Sequence, residues 1–473
     1  MSPLKKTKIV CTLGPSSSSY DVLRKMIESG ADVMRFNLSH GTHEEHRDRI
    51  DLVRRISEDL GRPIGIMVDL QGPKIRAGDL EGGEMVLVEG QEVELTTESV
   101  LGSDGVIPVL YHRLSEDLKP GGSIMLDDGL IELTVLEVGR GRVRCRVVTG
   151  GVLKCRKGVC LRGVRIDLPT ITDKDRVDID LGVQSGVDFF AISFVRTADD
   201  VRAVRRMIRD HGSDAEVIAK IESVQSLENL DEIIEAADAV MVARGDLGIE
   251  MPPEEVPVMQ SAIIRKCNEQ GKPVITATQM LESMKHSPLP TRAEVADVSG
   301  AILQGSDAVM LSGESAVGDY PVAAVRMMAR IARRMEQELP YDEMLRSRTV
   351  ASGASIADAI CHSACVTAEK LGLAAIISST NSGSTARNVA KYRPRSPIIA
   401  ATPNIRVANR LSLVWGVTPL VVGYRDSTDS IVECSVEAAV DHGLISGGDL
   451  VAVTAGIGPE IPAPTNFVRV HRV

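Results

Sequence analysis

Short runs of β-branched and other apolar residues alternate with longer amphipathic segments through most of the chain. Ile9 to Leu13 predicts a strand, Tyr20 to Glu28 a helix that Gly30 stops, and Val33 to Asn37 a second strand. A charged helix from His43 to Leu60 and a strand from Ile64 to Asp69 complete three β–α steps. The rhythm then changes. From Gln71 to Leu168 glycines are frequent and valines alternate with polar residues, as in 85–88 and 143–148, with no long helical period. This predicts an all-β insertion, a small barrel or sandwich. After Pro169 the β–α rhythm resumes, with strands expected at 189–193, 216–221, 239–243, 273–276 and 308–311. Three strands before the insertion and five after it make eight, the number that closes a (β/α)8 TIM barrel. A doubly wound α/β sheet is the rival, but no GxGxxG follows any strand. Between Leu339 and Gly353 apolar periodicity lapses. A separate α/β pattern follows, with a helix at 356–371 and strands at 374–378, 397–401, 417–422, 450–454 and 467–470. The expected division is a barrel in two parts (1–70 and 169–340), an inserted all-β domain (71–168) and a C-terminal α/β domain (341–473).

At 473 residues, with 43 % hydrophobic and 25 % charged positions, the composition is that of a globular chain. Only 3 % is aromatic, with Trp415 the single tryptophan, which provides no stacking platform for single-stranded nucleic acid. Acidic residues number 65 against 54 basic ones, so a net charge of −11 offers no broad basic surface to DNA or an anionic membrane. No run of about 20 apolar residues is present, and the first apolar run is too short for a secretion signal. The eight cysteines lack paired CxxC spacing. Cys361 and Cys365 flank His362 on one predicted helix, in apolar company that reads as core rather than as a metal site. The expectation is a cytoplasmic protein with reduced thiols. Any anionic partner must then be met by cations gathered locally.

In a barrel the residues after the strands converge on one face. Here that face is predicted to be unusually polar. Strand two ends in Arg35 to Gly41, strand three in Asp69 with Lys74 and Arg76 beyond, and strand four in Ser193 to Arg196. Strand five ends in Lys220-Ile221-Glu222, strand six in Arg244-Gly245-Asp246, strand seven in Thr276 to Gln279, and strand eight in Ser312-Gly313-Glu314. Glu222 and Asp246, from neighbouring strands, suit a hard divalent cation. Arg35, Arg76, Lys220 and Lys74 suit anionic oxygens. A divalent ion beside several cations serves phosphoryl transfer, where catalysis is mostly positioning and charge neutralisation. Salt bridges closing the barrel end would explain any one of these residues, but poorly explain so many strand ends at once. No GxxxxGK[ST] loop and no HRD–DFG pair is present, so P-loop and protein-kinase architectures do not fit.

These segments are similar to those of the pyruvate kinase family. The resemblance is carried by TKIVCTLGPSS, RFNLSHGTHEEH, VDLQGPKIRAG, IAKIES, MVARGDLGIE, TATQMLESM, PTRAEVADV and MLSGESAVGDYP, in that order, and by a β insertion at the family's position. It implies a barrel, a β lid and a regulatory C domain. It also implies transfer of a phosphoryl group from phosphoenolpyruvate to ADP, giving ATP and, after protonation of the enolate, pyruvate. By the same resemblance Lys220 faces the transferring phosphoryl group, and Glu222 and Asp246 bind Mg²⁺ or Mn²⁺. Gly245 and its neighbours offer backbone N–H groups to the substrate carboxylate, with Ser193 close by. Thr278 lies on the side where the enolate is protonated, through a relay with Ser312 and Glu314. Arg35 approaches the phosphates; Asn37, Ser39, His40, Arg76 and Lys157 belong to the nucleotide side. A homotetramer is implied as well.

One departure stands out. Potassium-dependent relatives carry Asp-Thr-Lys-Gly-Pro-Glu where this chain has Asp69-Leu70-Gln71-Gly72-Pro73-Lys74. Asn37, Ser39 and Asp69 keep potassium-type oxygens, Leu70 has no hydroxyl, and Lys74 brings a tethered ammonium. K⁺ is therefore expected to be dispensable. In the C domain Thr380-Asn381-Ser382-Gly383-Ser384-Thr385, between a strand and a helix, is expected to cradle a phosphorylated effector. Neutral Asn381 and Ser384 favour a monophosphate such as AMP or a sugar phosphate over a bisphosphate. The chain is expected to lack the swivelling extension that some bacterial relatives carry after this domain. A metal-dependent pyruvate or phosphoenolpyruvate lyase or aldolase remains the competing reading, and a non-catalytic metabolite sensor a third.

Overall fold

Eight parallel strands close on themselves in the computed structural model, which describes residues 5–166, 168–350, 353–425, 427–457 and 463–473. They are β1 (Lys8–Thr12), β2 (Val33–Asn37), β3 (Gly65–Asp69), β4 (Phe189–Ile192), β5 (Glu216–Ile221), β6 (Ala239–Ala243), β7 (Val274–Ala277) and β8 (Ala308–Leu311), with β1 paired to β8. Helices lie between them. Ser19 caps the helix Tyr20–Ser29 and Gly30, at φ +123°, ends it. Alternate residues face the barrel interior. Val10, Val33, Met67, Phe189, Ala191, Ile218, Ala239, Met241, Ile275, Ala277, Ala308 and Met310 form one buried cluster there. The other faces, with Ile9, Cys11, Met34, Phe36, Val217 and Val309 among them, pack against the helices.

Between β3 and β4 the chain builds a domain on its own core. Six strands (Val159–Leu161, Ser123–Leu126, Ile131–Gly139, Arg142–Thr149, Glu92–Thr96 and Val106–Pro108) form one sheet, and Glu84–Leu87 with Gly151–Lys154 a second, two-stranded one. One helical turn, Leu114–Asp117, interrupts the β structure. The C-terminal domain has a five-stranded sheet: β9 (Ala375–Ser379), β10 (Ile398–Thr402), β11 (Val417–Val421), β12 (Leu450–Ala455) and β13 (Phe467–Arg472), in the order β11-β10-β9-β12-β13. Only β13 runs antiparallel. Cys361 and Cys365 are buried on the core face of the helix Ile356–Leu371, as apolar company required. The stretch without periodicity contains a helix, Tyr341–Ser347. It buries only Tyr341 and Leu345, one helical turn apart, which is too short a pattern to register as a period.

The strand starts share a device that no local sequence pattern marks. An aspartate stands immediately before β2, β4, β6 and β8: Asp32, Asp188, Asp238 and Asp307. Each accepts a backbone N–H from the strand that precedes its own in the sequence: Ile9 at 2.9 Å, Ile66 at 2.8 Å, Val217 at 2.8 Å and Val274 at 3.0 Å. Each also pairs with a cation, respectively Lys5, Arg54, Arg205 and Arg393, at 2.6 to 2.9 Å. This end of the barrel is covered by the C domain. Leu413 joins the interior cluster, Lys8 Nζ donates to Val417 O at 2.6 Å, and Arg387 pairs with Glu216 at 2.7 Å. A side chain at Gly65 would meet Ser412 Oγ at 2.9 Å and Asn409 O at 3.1 Å, so glycine permits the close approach.

Candidate active site

The opposite strand ends gather the chemistry. Thr12, Arg35, Asp69 and Lys220 continue the inward-facing rows of β1, β2, β3 and β5, each two residues beyond an interior apolar residue, and Ser193 does the same just past β4. A period of two therefore delivers them to one place. Asp69, 1 % exposed, binds Arg35 Nε at 2.7 Å with one oxygen and Lys220 Nζ at 3.2 Å with the other. Arg35 also donates to Thr12 Oγ1 at 2.8 Å. Lys220 donates to Ser193 Oγ at 2.7 Å and pairs with Glu222 Oε1 at 2.8 Å. Burial works against the ammonium of Lys220, but Asp69 and then Glu222 outweigh it and hold the lysine above its ordinary range. Lys220 is a fixed positive charge.

Glu222 has the reverse problem. Burial, and then the charge of Asp246, push its carboxyl up, with Lys220 opposing. Its second oxygen accepts from Phe194 N at 2.7 Å. Asp246 is one-third exposed and opens onto the cleft between barrel and insertion. Two carboxylates on neighbouring strand ends, one buried and one facing the cleft, are an oxygen donor set that suits Mg²⁺ or Mn²⁺. Among the described residues no group of three His, Cys, Asp or Glu side chains is gathered for a metal, so the other ligands would come from substrate and water. The short helix Arg244–Glu250 starts at this point, and Gly245 N donates to Thr278 Oγ1 at 3.0 Å. Thr278 sits at φ +67° and donates to Ala277 O at 2.7 Å. Arg244 braces the same turn through Ala277 O at 3.1 Å and Asp297 at 2.7 Å. Glu314, fully buried, accepts Leu281 N at 3.0 Å and Ser312 N at 2.8 Å. Both its oxygens thus fix backbone, and burial raises its pKa.

The insertion overhangs this end and leaves a cleft of about 1020 Å³ lined by Lys74, Asp128, Glu222 and Asp246 among others. Lys74 Nζ lies 3.0 Å from Asp128 and 3.8 Å from Asp246. Its contacts are thus with the metal-type carboxylate and the insertion, and no bond joins it to Asn37, Ser39 or Asp69, the oxygens it was expected to serve. Leu70, buried, has no side-chain oxygen to offer; its carbonyl accepts Ser193 Oγ at 2.8 Å. Asn37 Oδ1 accepts Ser39 N at 3.1 Å, and exposed His40 follows. Beside them a groove is lined by Lys74, Arg76 and Lys174. Lys174 was not foreseen, because its neighbours Asp173 and Asp175 make it read as one charge on a solvated helix start. It donates to Leu38 O at 2.7 Å and to buried Asp178 at 2.6 Å. Arg76 donates to Arg156 O at 3.0 Å. Lys157 stays within the insertion, on Asp127 at 2.8 Å, and that hydrogen bond raises its pKa.

A second pocket, about 620 Å³, lies in the C domain and is lined by Thr380, Asn381, Ser382, Ser384, Thr385 and Arg425 among others. Gly383, at φ +85°, makes the turn, with its N–H on Thr380 Oγ1 at 2.9 Å. Thr385 Oγ1 is shared with Thr465 at 2.7 Å, which leaves Asn381, Ser382 and Ser384 facing the pocket. Arg425 supplies the cation missing from the loop itself. Among the described residues no helix is long and apolar enough to cross a membrane.

A closed parallel barrel with a lysine, a carboxylate pair and a cationic groove at its strand ends defines a phosphoryl-transfer enzyme. Comparisons narrow the class. The pyruvate kinase barrel domain matches residues 4–325 and the pyruvate kinase alpha/beta domain residues 358–471. The chain is 49 % identical over 470 residues to pyruvate kinase of Geobacillus stearothermophilus, covering 99 % of this chain and 80 % of that protein. It is 46 % identical over 472 residues to pyruvate kinase of Staphylococcus epidermidis, covering 99 % and 81 %. A crystal structure of a pyruvate kinase from Cryptosporidium parvum superposes with a TM-score of 0.95 at 37 % identity, covering 99 % of this chain and 96 % of that one. The chain belongs to the pyruvate kinase family, a glycolytic phosphotransferase family with a divalent-metal requirement.

Proposed function

We propose that the chain moves the phosphoryl group of phosphoenolpyruvate to ADP, with the barrel face as the site and residues 71–168 as its lid. The observation that carries this is Lys220: a buried, permanently charged ammonium held by Asp69, Ser193 and Glu222 beside the Glu222–Asp246 pair. Lys220 and Arg35 bind and neutralise the phosphoryl oxygens, in a setting where fixed charge is worth far more than in water. Glu222 and Asp246 hold Mg²⁺ or Mn²⁺, which supplies Lewis-acid neutralisation of phosphoryl charge when bound. The N–H groups at the start of the helix Arg244–Glu250, Gly245 first, receive the substrate carboxylate beside Ser193. Thr278, beside Gly245, orients the relay through which the enolate is protonated. A hydroxyl has no pKa near 7, so the proton comes through water, with Ser312 and the Glu314 turn as its frame. Lys74, Arg76 and Lys174 bind the nucleotide phosphates together with the Asn37–His40 loop; Lys157 joins them from the lid.

K⁺ is not required in this reading. The support is the exchange in the chain itself, Leu70 without a hydroxyl and Lys74 bringing an ammonium into the cleft, although that ammonium stands 3.8 Å from Asp246 and not on the Asn37–Asp69 oxygens. The C-domain pocket takes a phosphorylated effector with one strong anionic group, AMP or a sugar monophosphate, between the Asn381–Ser384 turn and Arg425. The protein works in the cytoplasm, consistent with eight free cysteines, and by family resemblance as a homotetramer. The test is a lactate-dehydrogenase-coupled assay with phosphoenolpyruvate, ADP and Mg²⁺. Pyruvate should form only with ADP; formation without ADP would establish the lyase reading instead. Replacing K⁺ by tetramethylammonium should leave activity within about twofold, and a stimulation by K⁺ of about tenfold or more overturns the Lys74 assignment. Saturation curves with AMP, ribose 5-phosphate, glucose 6-phosphate and fructose bisphosphate identify the effector; no response to any of them sinks that part.

A further inference from the structure

The lid joins the barrel through two strands of chain, and both rest on the four residues that follow β4. On the outgoing side Gly72, at φ +68°, packs so closely on Ser193 that a Cβ would lie 2.9 Å from the serine Cβ. Its N–H is held by buried Asp175 at 3.2 Å. On the returning side Arg196 grips the chain three times. One guanidinium nitrogen donates to Ile166 O at 2.7 Å, and another to Leu168 O at 2.7 Å and Thr170 Oγ1 at 2.9 Å. Arg196 is itself fixed at both ends of its peptide: its N–H donates to Asp200 at 2.9 Å, and its carbonyl accepts Asn229 Nδ2 at 2.9 Å.

The same four residues hold the chemistry from below. Ser193 Oγ accepts Lys220, and Phe194 N donates to Glu222 Oε2. Phe194 makes that bond from φ +54°, a backbone conformation a bulky residue adopts only when its surroundings impose it. Rotation of this peptide toward an ordinary conformation withdraws the N–H from Glu222. We propose that Ser193–Arg196 is the seat of the lid, and that Arg196 is a positioning residue whose hold on the returning lid strand sets the orientation of Glu222 and Lys220. Lid position and metal-ligand geometry are then one variable. This rests on Glu222 being a metal ligand.

The experiment compares full-length Arg196→Met and Arg196→Lys with Arg165→Gln, and reads Mn²⁺ affinity by water-proton relaxation and lid-strand mobility by amide hydrogen exchange. Arg165 tethers the same lid strand to the barrel through an exposed pair with Glu228 at 3.0 Å but has no bond to residues 193–196. Arg196→Met should speed exchange at Val164, whose N–H is held by Leu161 O at 3.1 Å just before the gripped carbonyls, and raise the Mn²⁺ dissociation constant about tenfold, as loss of a supporting hydrogen bond does in metal sites. Arg196→Lys, which keeps the charge but not the fork, should fall between, and carries the test if the Met variant does not fold. Arg165→Gln should speed exchange with Mn²⁺ binding unchanged. Faster exchange in Arg196→Met with Mn²⁺ affinity within about twofold of the parent overturns the coupling. If Glu222→Gln binds Mn²⁺ as the parent does, the metal assignment falls and the coupling with it; loss in Glu222→Gln beside unchanged binding in Arg196→Met sinks the coupling alone.

Discussion

The two ends of the barrel bury charge to a similar extent and use it in opposite ways. At the strand starts, each of four aspartates is closed off by a backbone N–H of a neighbouring strand and a cation. The C domain seals that end with Leu413, Arg387 and Lys8's bond to Val417. At the strand ends Asp69 is as buried as Asp32, Asp188 and Asp307, yet its carboxylate is tied only to the side chains of Arg35 and Lys220. Glu222 and Asp246 face each other as like charges. A charge closed on backbone stabilises one geometry, whereas a charge held by other charges stays responsive to a ligand that changes their balance. The difference is in the partners and not in the residue types or the depth.

Breaking each end should therefore fail differently. Lys220→Met should lower phosphoryl transfer by at least about a hundredfold, the scale for removing one preorganised charge, and should cost less stability than a break at the closed end, because Asp69 keeps Arg35 Nε and Glu222 keeps Phe194 N. Retention of more than about a tenth of parent activity in the coupled assay would contradict its role. Asp307→Ala should do the opposite. It strands buried Arg393, whose side chain is 4 % exposed, and should cost about 3–5 kcal/mol in the first urea-unfolding transition. Asp238→Asn sharpens the contrast within the lower end. Asp238 is one-quarter exposed and asparagine still accepts Val217 N, so the cost should be about 1 kcal/mol or less.

The smallest effect is a slope with pH. Lys6, at the barrel–C-domain contact, lies over the rings of Tyr341 and Trp415 at 4.6 and 5.0 Å and donates to Pro394 O at 2.8 Å. Burial lowers its pKa to about 7 against the attraction of Glu336 and Glu369, with Arg395 and Arg393 adding to the lowering. The folded protein then holds fewer protons than the unfolded chain between about pH 7 and 10.5. Stability contributed by this site must rise with pH across that window. Unfolding free energy of the parent minus that of Lys6→Met should climb with a slope of at most about 1.4 kcal/mol per pH unit; a flat or falling difference refutes it.

Much of this was legible beforehand because it is written locally. Strands β2, β5, β6 and β8 fall where alternation predicted them, and the remaining barrel strands are offset by one residue at one end or both. The inward row of each strand passes from apolar residues to Thr12, Arg35, Asp69 and Lys220 without a break, so counting by two reaches the site. What escaped has no local signature. The aspartates before alternate strands are single residues about 50 to 150 positions apart, linked only by the strand that each one's neighbour forms. Lys174 looks like surface because its sequence neighbours are acidic, and Arg425 lies 40 residues or more from the turn it faces. Lys74 was assigned to the Asn37–Asp69 oxygens by its place in the sequence, yet the path of the chain into the lid carries its ammonium to Asp128 and Asp246.

The sequence by itself determined the count of strands, the position of the insertion and the identity of the groups at the strand ends. Each follows from periodicity and residue type within a short window. Tertiary structure alone decided which of those groups share a proton or a charge, that both lid strands rest on residues 193–196, and that one end of the barrel is closed while the other stays open. Those are outcomes of closing a sheet and packing a second domain on it. Electrostatic interactions depend on distance through space and on exclusion of water, and neither quantity is encoded at any single position of the chain.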